Sequence, residues 1–171
     1  MIIYSLHKAG GDVVATSSSP ISDVGGVYRD AARVWLDPEP GDGSYVSQTR
    51  DLASERGLIW TAIKEERDRR KLDGGYPVSG KWFHSDTFSR TQQLGLLLMG
   101  ANIPQGLQWK TMDGSFVEMT QTLAAQVFAA AAAQDQALFA HAEALLAEVN
   151  AAQDPAAVDI SVGWPSSYSG G

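Results

Sequence analysis

The sequence contains no cysteine, which removes disulfides, thiol nucleophiles and thiolate metal sites. Histidine occurs three times, as His7, His84 and His141. His84-Ser85-Asp86 could offer two metal ligands, but two are too few to argue a site, and no other histidine has a histidine or carboxylate at ligand spacing. There is no basic excess either: 13 Lys and Arg against 20 Asp and Glu leave a net charge of −7. A binder of nucleic-acid phosphates needs a basic face, so no nucleic-acid partner is expected. No window approaches the roughly 20 apolar residues of a membrane helix, and the apolar run within residues 1–8 is too short for a signal peptide. No membrane partner is expected, and synthesis in the cytoplasm is. The P-loop, the dinucleotide glycine fingerprint and the calcium-loop spacing are all missing. No cofactor, metal or small-molecule substrate is expected, and no specific reaction finds support.

What is present fits a globular chain. Its 171 residues are 44% hydrophobic and 19% charged, enough to bury one core, with room for a small appendage. Residues 1–40 predict a small β-rich head for partner attachment. Strands at 2–6 and 13–16 flank the turn Ala9-Gly10-Gly11-Asp12, and the apolar stretch 24–36 has no assignable secondary structure. Two prolines and two glycines within residues 37–44 stop regular structure, so a linker is expected over 41–50. A helical domain is expected over 51–165, then a tail over 166–171. The fold class expected is α+β: a small N-terminal β head, then a mainly helical bundle with two short hairpins and a long alanine-rich C-terminal helix.

Within the helical domain, 51–72 reads as a helix with Leu52, Ile59, Ala62 and Ile63 on one side. Its last turns carry Arg67, Arg69, Arg70 and Lys71 before Gly74-Gly75. Cations there offset the helix dipole, and glycine suits the cap; a nucleic-acid or anion site is the minority reading. Residues 74–90 read GGYPVSGKWFHSDTFSR and raise the question of a hydrolase-like site, since His84, Ser85 and Asp86 are adjacent. A hairpin over 76–84 around Ser79-Gly80 answers it. Neighbouring strand side chains point to opposite faces, so His84 and Ser85 diverge, whereas acyl transfer needs a nucleophile–base hydrogen bond. Asp86 or Ser85 is read as the N-cap of a helix over 87–100. A cell-wall hydrolase built on His84 or Asp86 is the minority reading.

A second hairpin is expected over 107–119 around Asp113-Gly114, with Trp109 and Phe116 as its packing residues, and the two hairpins could pair into one small antiparallel sheet. Thr120 is the expected N-cap of a helix over 120–152. It repeats at an 11-residue interval: Leu123, Gln134 and Leu145; Val127, Leu138 and Val149; Phe128 and Phe139. That period keeps a stripe on one face, with Gln134 and His141 as its polar members. Either the chain's own helices cover the stripe, or part of it lies in an interface with another copy, as a homo-oligomer, or with a partner. Asp154-Pro155 starts a short turn. The end, through Trp164-Pro165 and Tyr168, would fray unless held; a partner surface is one holder. Exposed aromatics dominate contact surfaces, so Tyr4, Trp35, Trp164 and Tyr168 are the candidate partner-binding residues.

Residues 60–165 resemble a poorly characterised domain family encoded among phage and prophage tail genes. The likeness lies in Arg67-Asp68, Gly74-Gly75, the first hairpin, Ser85-Asp86 and Ser89-Arg90, then Trp109, Asp113-Gly114, Phe116-Val117, the alanine-rich helix and Gly163-Trp164-Pro165. The resemblance implies a non-enzymatic tail component, at the tail tip, baseplate or fibre attachment, or a tail-fibre assembly chaperone. It implies other tail or fibre proteins as partners and the virion as location, and it supplies no catalytic or ligand residues.

Overall fold

The structure, a computed structural model, describes residues 52–169 and, before them, the backbone of five strands. The chain forms two compact units, residues 1–58 and 59–171.

The first unit is an antiparallel sheet. Its strands are β1 (Ile2–His7), β2 (Val13–Ser17), β3 (Val27–Arg29), β4 (Arg33–Leu36) and β5 (Tyr45–Arg50), in spatial order β2-β1-β5-β4-β3. The expected hairpin of β1 and β2 is present, with Tyr4 opposite Ser17 and Leu6 opposite Ala15; its turn, residues 9–12, lies outside the described residues. The stretch that resisted assignment forms β3 and β4, with Tyr28 opposite Trp35. The linker expectation needs correction. Residues 45–50 are the middle strand, pairing with β1 from Ile2–Arg50 to His7–Tyr45 and with β4 at Val34–Val46. The proline and glycine cluster ends at Gly43, and Tyr, Val and Thr beyond it favour extended backbone. Residues 41–44 lie outside the described residues.

Helix α1 (Leu52–Asp73) spans the boundary into the second unit. Hairpin β6 (Tyr76–Val78) and β7 (Lys81–Phe83) follows, then α2 (Thr87–Met99), hairpin β8 (Gln108–Lys110) and β9 (Phe116–Glu118), and α3 (Gln121–Ala151). The class is α+β, as the sequence pattern predicts. Turn chemistry explains the hairpins: Ser79 and Gly80 both have positive φ, 51° and 78°, as the tightest two-residue turns demand. Gly114 has φ 80° in the second hairpin. The two hairpins stay separate two-stranded sheets and do not pair into one. They touch through one backbone bond, Met112 N–H to the Trp82 carbonyl at 2.9 Å. Lys81 Nζ adds contacts to Asp113 and the Ser115 hydroxyl, each at 2.8 Å.

The spine is α3, about 46 Å long at 1.5 Å per residue. Its first half buries Ala124, Val127 and Ala131 against Tyr76, Val78, Phe83 and Met119. Its second half buries Ala142, Leu145 and Val149 against Ile63 of α1. Val127, Leu138 and Val149, eleven residues apart, are each fully buried, so the chain itself covers that line of the stripe. Phe128 and Phe139 repeat at the same interval but stand partly in solvent. Phe139 lies under the Arg67 guanidinium, 4.5 Å from ring centroid to Cζ.

Candidate functional site

Ser85 is buried, and its hydroxyl is engaged twice: it accepts from the Gly75 N–H at 2.9 Å and donates to the Leu72 carbonyl at 2.9 Å. It thus ties the end of α1 to the start of α2. Asp86 is the N-cap of α2, accepting from the Ser89 N–H at 2.9 Å and the Ser89 hydroxyl at 2.6 Å. Those Ser89 bonds hold its carboxyl below the usual aspartate range. Arg90 gathers the neighbouring ends. Its guanidinium donates to the Ser85 carbonyl at 2.6 Å, to the Lys71 carbonyl at 3.1 Å, and to both Asp135 oxygens at 2.8 and 2.9 Å. Beneath it the Tyr76 hydroxyl meets the buried Gln93, which donates to the His84 carbonyl at 3.0 Å. Burial pushes the Tyr76 hydroxyl up to about 12. Nucleophile, base and acid of the 84–86 cluster do not converge: Ser85 bonds backbone and Asp86 caps a helix.

The basic run of α1 is engaged within the chain. Arg69 and Arg70 both pair with Glu66, and their bonds, that of Arg69 foremost, lower the Glu66 carboxyl to about 2. Lys71 Nζ lies 3.8 Å from Asp135. Arg70 also reaches the C-terminal segment, at the Pro165 carbonyl (3.3 Å) and the Ser167 hydroxyl (3.4 Å).

That segment is a strap held by its own chain. Gln134 Nε2 donates to the Ser166 carbonyl at 3.0 Å, His141 Nε2 lies 3.0 Å from the Val162 carbonyl, and the Tyr168 N–H donates to the Gly74 carbonyl at 2.8 Å. The two polar members of the α3 stripe are therefore strap holders. Trp164 is half-buried: it donates to the Ile160 carbonyl at 2.9 Å, meets His141 edge-on and lies under Arg70. Tyr168, also half-buried, tilts against Trp82 with centroids 6.1 Å apart. Of the four candidate aromatics, these two share the strap. Tyr4 and Trp35 lie in β1 and β4, where the side chains are outside the described residues. Gly170 and Gly171 are outside them too.

An open groove of about 650 Å³ runs between α2 and β8. One helix face, through Gln92, Gly95 and Met99, forms one wall; Leu107 to Lys110 form the other, and His84 also lines the groove. This wall was not legible in the sequence, where only Trp109 stood out. Phe116, expected to pack, is 62% exposed, while Val117 and Trp109 turn inward. Strand alternation puts Phe116 on the face away from the core.

The family profile that matches covers residues 54–162 and is described as a domain of unknown function (DUF4376). The chain belongs to this family. Arg70, Gln134 and His141 lie inside the DUF4376 match and Pro165 to Tyr168 beyond it. No curated protein and no solved structure matches the chain.

Proposed function

We propose that the protein is a non-enzymatic component of a bacteriophage tail, at the tail tip, baseplate or fibre attachment, acting through protein–protein contacts. The observation that carries the non-enzymatic part is the double engagement of the Ser85 hydroxyl with backbone groups. It leaves the one stretch with hydrolase-like residues as a junction between α1 and α2. The open groove beside α2 supports binding as the activity. The tail assignment rests on the resemblance of residues 60–165 to domains encoded among tail genes. Mass spectrometry of purified virions tests it: a stoichiometric band is expected, and absence from the particle overturns incorporation.

The groove also favours a second reading, a tail-fibre assembly chaperone, because an open apolar wall suits transient capture of a folding chain. Co-expression separates the two. A chaperone raises the yield of soluble fibre oligomer, whereas a structural adaptor leaves that yield unchanged and stays in the particle.

A further inference from the structure

We propose that the groove between α2 and β8 captures an extended peptide segment as an added strand on the outer edge of β8. The backbone pattern of the hairpin sets up that edge. The Met119 N–H donates to the Leu107 carbonyl, and the Thr111 N–H to the Ser115 carbonyl. In an antiparallel pair, bonded and non-bonded positions alternate, so Leu107, Trp109 and Thr111 direct their backbone groups at β9. Gln108 and Lys110 direct theirs away from it. Among the described residues β8 has β9 as its sole strand neighbour, and the outward backbone groups of Gln108 and Lys110 have no partner.

The groove lies on that side. A strand seen face-on contributes only every second residue to a wall. Here four consecutive residues, Leu107 to Lys110, line the groove and none of β9 does, which is the signature of an edge. The opposite wall is α2, and at its middle stands Gly95. A side-chain carbon there would meet nothing within 4 Å, so no packing within the described residues requires glycine, a poor helix former. The space it leaves belongs to the groove. A strand laid between an edge and a helix gains main-chain hydrogen bonds from the edge and seats alternate side chains against the helix.

The charges select the segment. Among the described residues no acidic one lines the groove, although the chain carries −7 overall; Lys110 is its formal charge and His84 its titratable group. The occupant is therefore an extended segment of another protein, apolar at alternate residues, free of Lys and Arg, with an acidic residue beside Lys110. Strand capture presupposes that the protein works by binding, as proposed above, but not that it sits in a tail.

The test uses the full chain, isotope-labelled for NMR, and a panel of blocked heptapeptides alternating Val, Ile or Leu with Thr, each with and without a terminal Asp. Saturable shifts and slowed hydrogen exchange are expected at the Gln108 and Lys110 amides, tighter for the peptides with Asp. Gly95→Gln fills the groove without touching the core and is expected to weaken binding about tenfold or more while thermal stability holds or rises. Lys110→Pro removes one outward N–H at an edge position that tolerates proline and is expected to do the same; Lys110→Ala removes only the preference for Asp. No shifts with any peptide at millimolar concentration, or shifts unchanged in Gly95→Gln, overturn the proposal. So does a concentration-dependent dimer that Gly95→Gln abolishes, because the occupant is then a second copy. Virion incorporation is read separately, so either result stands without the other.

Discussion

His141 Nε2 lies 3.0 Å from the carbonyl oxygen of Val162, and Gly163, the next residue, leaves no room for a side chain against the same imidazole. A carbonyl only accepts, so Nε2 must be the donor and carry the proton. A polar residue on an otherwise apolar helix stripe is thus explained by the backbone it holds down. Two turns earlier, Gln134 does the same for Ser166.

His141→Ala is expected to lower stability by about 1–2 kcal/mol, through one hydrogen bond and an edge-on contact with Trp164. Gly163→Ala is expected to cost a similar amount for two reasons. Its φ is +79°, and an added carbon would lie 2.7 Å from His141 Cε1. Urea unfolding of both variants and their combination separates the two causes. In the His141→Ala background the clash disappears and only the backbone part, about 1 kcal/mol, remains. Strict additivity of the two substitutions would show that imidazole and strap do not touch.

Ser85→Ala strands the buried Gly75 N–H and leaves the part-buried Leu72 carbonyl without its donor. It is expected to destabilise by about 2–3 kcal/mol. His84→Ala is expected to stay within about 0.5 kcal/mol, since it is the His84 carbonyl, not its ring, that Gln93 binds. Chemical denaturation ranks them. The reverse order would mean that the junction described for Ser85 is not what holds α1 to α2.

Glu66 supplies a pH dependence of known sign. Its carboxyl falls from 4.5 to about 2 on folding, chiefly through the bond from Arg69. A group whose pKa is lowered adds stability above its unfolded pKa and loses it as the pH falls through the folded value. The loss therefore lies between about pH 5 and about pH 2. For a pair at the helix surface it amounts to about 1 kcal/mol. Thermal midpoints near both ends of that window should fall further for the native chain than for Glu66→Gln. Parallel falls would remove Glu66 from the acid response.

Elements fixed by local chemistry were legible in the sequence, and those fixed by remote pairing were not. Asp86 and Thr120 cap their helices as their residue types predict, accepting from Ser89 and Leu123 respectively. Ser79-Gly80 and Asp113-Gly114 turn the expected hairpins. By contrast, β5 pairs with β1 some 40 residues away in the chain, and no local signal separates such a strand from a linker's end. The strap and the groove edge arise from contacts between distant segments as well. Gln134 and His141 were visible as polar interruptions of the stripe, but nothing nearby names their partner carbonyls.

The turn itself offers a gain in stability. Ser79 sits at φ 51°, where a residue with a side-chain carbon is strained and asparagine is better tolerated. Ser79 is exposed, so Ser79→Asn relieves the backbone without disturbing packing. A rise of roughly 0.5 kcal/mol is expected, read as a higher denaturation midpoint with an unchanged slope.

The two aromatics of the second hairpin make a sharper contrast. Trp109 packs on the cluster of Tyr76, Phe83 and Val127, and removing a large side chain from such a position costs about 3 kcal/mol. Phe116, two strand positions from Glu118, stands 62% exposed. Phe116→Thr keeps β propensity and leaves the core as it is, so its unfolding midpoint should stay within about 0.5 kcal/mol of the native chain. Trp109→Ala should lose several times that. Equal losses would place Phe116 back in the core, and with it the register that turns the Gln108 and Lys110 backbone groups away from β9.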